Sequence, residues 1–209
     1  MSHPESARVL PGLPDWIGEG FPAQGSWTYE DYCRIPEDGK RYEVIRGVLH
    51  VSPAPGYRHQ RIVMDLSTML NHFVKSRRLG EVLAAPMDVM LPGLTSPIQP
   101  DILFVSLGRA QVVKETHILG APDLVIEVLS PSNSRAELRM RLEVFAEGGI
   151  DECWVVDPEA RRIDVHVREG AVYRLQGRYG TDASARSTVI QGFEVPVASV
   201  FPDAPESHG

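Results

Sequence analysis

The order of apolar patterns along the chain predicts an α/β (α+β) fold, in which helices flank a mixed β-sheet. Short apolar runs such as 124–129 end at proline or serine and have the β-branched composition of buried strands. Two longer segments, 57–78 and 134–147, repeat apolar residues at helical spacing. Because strand patterns precede and follow both helices, an all-β sandwich is not expected.

The bulk properties are those of one soluble domain. The 209 residues, 43% of them hydrophobic, suffice for a single core. We assign 1–25 to a Pro- and Gly-rich arm, 26–203 to the domain and 204–209 to a polar tail. No membrane span or signal peptide is expected, since no apolar run is long enough and the first residues lack the pattern. The widely spaced Cys33 and Cys153 favour a reducing, cytoplasmic compartment.

The charge balance limits the kind of partner. A net charge of −7 argues against tight nucleic-acid binding through a broad basic surface, but it allows a local basic groove. Lysines account for only three of the 21 basic residues. Arginine binds phosphate in a bidentate manner, although a GC-rich genome explains this imbalance equally well.

The first half of the chain contains a short helix, a hairpin and a long helix. Thr28 with Asp31 forms a capping box, which predicts a short helix. The segments 42–45 and 48–51 flank Arg46-Gly47 as the arms of a β-hairpin. The helix from 57 to 78 has an apolar stripe and ends near Gly80. Further strands are predicted at 81–85, 87–91 and 101–105.

The second half contains one helix between strands. Residues 106–121 have the composition of a connection with at most one helical turn. The strand at 124–129 leads to the helix at 134–147, which Gly148-Gly149 ends. The remaining apolar patterns predict strands at 153–156, 162–167 and 172–175, followed by apolar anchors at Phe193, Val200 and Phe201.

Three acidic residues lie within otherwise apolar strand patterns. They are Glu43, Asp101 and Glu127, each in a different predicted strand. A buried carboxylate is costly unless it is paired, protonated or bound to a metal. A single such acid is as readily a paired structural residue. Three together favour a site of oxygen ligands for a hard divalent cation, Mg²⁺ or Mn²⁺.

Arg141 lies at the edge of the apolar face of the second helix, between Leu138 and Phe145. Two interpretations remain open. Arg141 forms a surface pair with Glu137 at i, i+4 spacing, worth a few tenths of a kcal/mol. Alternatively, its guanidinium lies over the carboxylate cluster, where it would stabilise charge on a phosphoryl group.

These segments resemble the Uma2 family of endonuclease-like proteins, formerly a domain of unknown function. The family is a branch of the PD-(D/E)xK nuclease superfamily. The resemblance extends over about 27–175. Its motifs, in order, are Tyr42-Glu43-Val44-Ile45-Arg46-Gly47, then 52–55 with Arg58-His59-Gln60, Gln99-Pro100-Asp101-Ile102, the block 120–132 around Glu127, and 149–158.

The resemblance implies a restriction-endonuclease-like fold and roles for the site residues. Asp101, Glu127 and the Val128 carbonyl would bind Mg²⁺ or Mn²⁺, and Glu43 would be an accessory acid. Leu129 stands where the superfamily has its lysine. In the Uma2 pattern the lysine comes from the following helix, and Arg141 takes that place here.

The first helix carries a further candidate, His59, which matches the family's histidine and has Arg58 beside it. One interpretation is that Arg58 and His59 contact substrate phosphate. The other is that His59 packs against the hairpin.

The expected function is metal-dependent hydrolysis of DNA phosphodiester bonds. The catalytic residues would be Glu43, Asp101, Glu127 and Arg141, and DNA would be the partner. Arginine keeps the lysine's charge but cannot exchange a proton. The alternative is therefore a catalytically degenerate nuclease fold that serves as a binding or assembly module. Hydrolysis of another phosphoester is a third hypothesis. A homodimer is expected by analogy alone.

Overall fold

A computed structural model describes residues 17, 20–52, 54–94, 97–131 and 134–201. Most of the predicted arm and the whole tail at 204–209 lie outside these residues. The helices are α1 (Tyr29–Tyr32), α2 (Tyr57–Arg77) and α3 (Arg135–Glu147), with 3₁₀ helices at Leu107–Val112 and Val197–Val200. The strands are β1 (Arg41–Ile45), β2 (Val48–Ser52), β3 (Gly80–Ala84), β4 (Asp88–Met90), β5 (Ile102–Ser106), β6 (His117–Leu119), β7 (Leu124–Val128), β8 (Glu152–Asp157), β9 (Arg162–Glu169), β10 (Val172–Tyr179), β11 (Ser184–Arg186) and β12 (Glu194–Pro196).

Six of these strands form a central mixed sheet in the order β10-β9-β8-β7-β5-β3. Within this sheet, β7 and β8 are the one parallel pair of neighbours. The helix α3 makes the crossover that joins them. The predicted fold class is thereby confirmed. All five residues of β7 are buried, as its uninterrupted apolar run indicated.

The two faces of the sheet are covered by different helices. On one face α2 packs its buried side chains, Leu66 and Leu70 among them, against Trp154 of β8. On the other face α3 contributes Val144 and Phe145 to a second apolar cluster. The capping side chain of Ser134 accepts a hydrogen bond from the backbone N–H of Glu137, and so fixes the start of α3.

The β1–β2 hairpin forms a separate two-stranded sheet beside the central one. Its turn residues Arg46 and Gly47 have φ of 51° and 74°, the left-handed pair typical of a tight hairpin turn. A Cβ on Gly47 would lie 2.5 Å from the Gly25 carbonyl oxygen, so only glycine fits. Val44 N–H donates to the Pro97 carbonyl at 2.8 Å. This bond docks β1 beside the start of β5.

Two parts of the prediction were wrong. Residues 106–121 hold more than one helical turn: a six-residue 3₁₀ helix, and β6, which pairs in parallel with β4. The paired strands β11 and β12 were also missed. The three missed strands, β6, β11 and β12, have only three residues each. Three residues are too few for a period to show in the sequence.

None of the described helices is both long and apolar enough to span a lipid bilayer.

Candidate active site

The three predicted acids lie around one cleft of about 430 Å³. Glu43 comes from β1 and Glu127 from β7, while Asp101 directly precedes β5. The antiparallel register pairs Ile102 with Ile126, so Asp101 lies opposite Glu127, one step further along the two strands. All three carboxylates are buried, with residue exposures of 2–8%. The sequence thus identified acids that the fold brings together.

Arg141 bridges two of these acids from α3. Its Nη1 donates to Glu43 Oε2 at 2.8 Å, and its Nη2 donates to Glu127 Oε1 at 2.7 Å. The guanidinium carbon also lies 5.5 Å from the centre of the Phe145 ring, within cation–π range. Between the two interpretations left open above, the structure supports the one that places Arg141 over the carboxylates. No described contact joins Arg141 to Glu137.

Asp101 is held by three donors. Arg41 Nη1 donates to Oδ1 at 3.0 Å, the Val128 N–H donates to Oδ2 at 2.8 Å, and His59 Nε2 lies 3.1 Å from Oδ2. Despite burial, the hydrogen bond to His59 and the charge of Arg41 lower the pKa of Asp101. Asp101 is therefore ionised and fixed in position.

Glu43 is also held on both oxygens. Its Oε1 accepts from the Gln99 N–H at 2.6 Å and from Arg41 Nη2 at 3.5 Å, and its Oε2 accepts from Arg141. The charges of Arg141 and Arg41 outweigh burial and lower the pKa of the Glu43 carboxyl. A carboxylate has about four lone-pair sites, and Glu43 uses three of them. Glu43 thus orients the two arginines.

Glu127 is the acid with the most unused hydrogen-bonding capacity. It accepts one hydrogen bond, from Arg141, and its Oε2 has no partner among the described residues. Burial and the negative charge of Asp101 outweigh the effect of Arg141 and raise the pKa of Glu127 to about 7. An additional cation beside Glu127 would therefore stabilise its ionised form.

The donor set fits a magnesium-type ion better than a metal held entirely by side chains. No group of three or more His, Cys, Asp or Glu side chains in the described part of the chain is arranged to hold a metal. Asp101 and Glu127 face each other, and Val128 lines the same cleft. Mg²⁺ takes one or two carboxylates and keeps several waters. Three carboxylates and two guanidiniums also leave one net negative charge, which favours binding of a cation.

Arg58 and His59 occupy the first turn of α2. His59 lines the cleft and contacts Asp101, while Arg58 is exposed and, with His59, lines a neighbouring cavity of about 600 Å³. His59 therefore belongs to the site through Asp101, and a phosphate contact by either residue stays a prediction.

Three residues of the site were missed by the sequence analysis. Arg41 is two positions before Glu43 on the same strand, so both side chains project to one face; this alternation was the available signal. Gln99 contributes its N–H to Glu43, and its carbonyl accepts from Arg141 at 3.4 Å. His50 is the cross-strand partner of Glu43 on β2, and burial lowers its pKa.

Comparison with known proteins identifies the family and the fold of the chain. The sequence profile of the Uma2 family, described as "putative restriction endonuclease", matches residues 29–198. No protein of curated function matches the chain. A solved structure described as a putative nuclease of DUF820 from Anabaena variabilis superimposes with a TM-score of 0.69 at 20% identity. The match covers 84% of this chain and 97% of that one, which establishes a shared fold.

Proposed function

The chain belongs to the Uma2 family, and from that premise we propose that it is a metal-dependent endonuclease that hydrolyses phosphodiester bonds in DNA. The family supports a nuclease-type function. The observation that carries the finer proposal is that Asp101 lies opposite Glu127 beside an open cleft, and that Glu127 Oε2 has no partner among the described residues.

Each acid would have a distinct role. Asp101, held by Arg41, His59 and the Val128 N–H, would present a fixed ionised ligand. Glu127 would supply the second ligand, and the Val128 carbonyl would complete the protein's share. When bound, Mg²⁺ or Mn²⁺ would neutralise charge on the phosphate and make water more acidic.

Arg141 would act through its charge. Interaction with Glu127 and Glu43 raises its pKa still further, so the guanidinium cannot take a proton from water. It holds both glutamates and places positive charge at the wall of the cleft, where negative charge would develop on the phosphate.

A specific observation favours a second candidate, a degenerate nuclease fold used for binding or assembly. Arg41 and Arg141 already supply two cations to the three carboxylates. The cluster is therefore stabilised to a large extent without a metal ion.

The deciding experiment is cleavage of supercoiled plasmid across a Mg²⁺ and Mn²⁺ titration, with wild type, Asp101→Ala and Arg141→Lys compared. We expect wild-type cleavage that Asp101→Ala abolishes. Cleavage that survives in Asp101→Ala would exclude the assigned site. An inactive wild type with an active Arg141→Lys would identify the degenerate alternative. Competition among DNA, RNA and small phosphodiesters would test whether DNA is the substrate.

Three further parts of the proposal concern the phosphate contacts, the oligomeric state and the location of the protein. Arg58 and His59 would contact DNA phosphate, and two copies of the chain would act together to cut a duplex. The homodimer would be excluded if light scattering shows a monomer both without DNA and in the presence of DNA. The two cysteines are free, Cys33 exposed and Cys153 buried, as suits a reducing, cytoplasmic location.

A further inference from the structure

A second cavity, of about 530 Å³, adjoins the acidic cleft. We call it the side cavity. Its wall is largely apolar, and its volume lies in the range typical of small-molecule binding sites. Its lining residues come from α1, the segment before β1, α2, the β3–β4 connection and the segment before β5, and include Tyr32, Ile35, Pro36, Val63, Pro86 and Gln99.

The side cavity and the acidic cleft share one wall. Arg41, His59 and Asp101 line both, and contacts of 3.0 and 3.1 Å with the Asp101 carboxylate hold this wall together. A phosphate at Asp101 would therefore have the side cavity directly beside it. In a nucleotide chain, the group next to a backbone phosphate is a sugar that carries a base.

Gln99 lines the side cavity and has an unused acceptor. Its Nε2 donates to Asp88 Oδ1 at 2.7 Å and to the Tyr32 hydroxyl at 3.3 Å. Because an ionised carboxylate only accepts hydrogen bonds, the contact with Asp88 identifies the amide nitrogen and so fixes the orientation of the amide group. Gln99 Oε1 then has no partner among the described residues, although the residue is only 7% exposed. Gln99 lines the side cavity and not the acidic cleft.

We propose that the side cavity binds an unstacked nucleobase of the nucleotide next to the scissile phosphate. This inference rests on the proposed nuclease function and narrows its preferred substrate to nucleic acid in which the base beside the scissile phosphate is unpaired or can leave the helix. Apolar and aromatic walls suit the faces of a base, and a fixed amide oxygen suits an N–H on its edge. A stacked, paired base cannot enter without leaving the duplex, which costs a few kcal/mol.

Cys33 allows the side cavity to be filled without a mutation in the core. Cys33 lines the cavity and is exposed, whereas Cys153 is fully buried. N-ethylmaleimide should therefore modify Cys33 alone. Cys33→Ala treated in the same way is the matched control, and Val63→Trp is an independent obstruction from α2.

The experiment measures binding, in Mg²⁺, of oligonucleotides with cleavage-resistant phosphorothioate linkages. One carries an unpaired 2-aminopurine, and the other is the matched duplex. We expect the unpaired form to bind at least about tenfold tighter, with a change in 2-aminopurine fluorescence. Alkylation of wild type, or Val63→Trp, should remove this preference, while alkylated Cys33→Ala retains it.

Equal affinity for the two forms, or a preference that filling the cavity leaves intact, would overturn the inference. If plasmid cleavage that depends on Asp101 persists in that case, the nuclease function stands and only the base site fails. A preference abolished by alkylation in a protein that never cleaves would keep the base site and refute the nuclease. A protein that binds neither oligonucleotide and cleaves no plasmid refutes both.

Discussion

Two buried glutamates on neighbouring parallel strands, Glu127 of β7 and Glu152 of β8, are stabilised in opposite ways. Glu152 is 0% exposed. Its Oε1 accepts from Trp154 Nε1 at 2.7 Å, and its Oε2 accepts from the N–H and hydroxyl of Thr188, both at 2.6 Å, and from the Val189 N–H at 3.3 Å. Every described donor to Glu152 is neutral, whereas Glu127 accepts one hydrogen bond, from a guanidinium.

The contrast separates a structural carboxylate from a candidate ligand. Glu152 accepts four hydrogen bonds across its two oxygens and ties the segment 188–189 to β8, and it is fully buried away from the acidic cleft. Glu127 lines a cleft with an oxygen that has no partner among the described residues, and it faces a second acid, Asp101. Burial alone therefore does not distinguish a candidate ligand from a structural acid; the unused lone pairs distinguish Glu127 from Glu152.

The largest expected effect is that of Glu127→Gln on cleavage. The amide oxygen can still accept from Arg141, but the ligand charge is lost. We expect metal-dependent cleavage to fall by about 1,000-fold, roughly 4 kcal/mol of transition-state stabilisation. Plasmid cleavage rates at saturating Mg²⁺ measure it. Glu152→Gln is the matched control, and an equal loss of cleavage in both variants would remove the distinction drawn here.

Arg141→Lys should come next. A lysine ammonium is a point charge and cannot reproduce the fork that donates to Glu43 and Glu127 at once. We expect the free energy of unfolding to fall by about 2–3 kcal/mol, measured by urea denaturation. Arg139→Lys, on the exposed side of α3, should change it little. A stability equal to that of wild type would show that the bridge contributes nothing.

Glu152→Gln should destabilise the fold without affecting chemistry. A glutamine that keeps its oxygen toward Thr188 must turn its NH₂ group toward the Trp154 N–H, so one hydrogen bond is lost. We expect a loss of about 1–3 kcal/mol in the free energy of unfolding. The cleavage rate per folded molecule should stay at the wild-type value, and a rate reduced tenfold would connect Glu152 to the active site.

The sequence identified Glu127 but not Glu152, and the reason is local. Glu127 interrupts an apolar run, where its cost is evident, whereas Glu152 follows Asp151 at a strand boundary and has the appearance of a turn residue. The sheet and α3 were predictable from period and length. Arg41 and Gln99 were not assigned to the site because hydrogen bonds between distant segments hold them there. Such bonds leave no periodic pattern.

The remaining prediction is a pH-dependent difference in the stability of the metal-free protein. The pKa of Glu127 is raised from 4.5 to about 7 in the folded protein, so the folded state binds this proton more tightly than the unfolded state. Stability should therefore fall as pH rises between about 4.5 and about 7, by at most about 1.4 kcal/mol per pH unit. Glu43 and Asp101, whose pKa values are lowered, act in the opposite sense and lose their contribution toward acid.

Comparison of wild type with Glu127→Gln isolates the Glu127 contribution, because the other titrating groups are present in both proteins. Urea denaturation from pH 4.5 to pH 7.5 in EDTA should give curves that diverge with rising pH, with Glu127→Gln the less pH-sensitive. Addition of Mn²⁺ near neutral pH should restore stability to wild type more than to the variant, since a cation favours the ionised carboxylate. Parallel curves would mean that Glu127 is as well satisfied as Glu152, and the reason for placing a metal beside it would be lost.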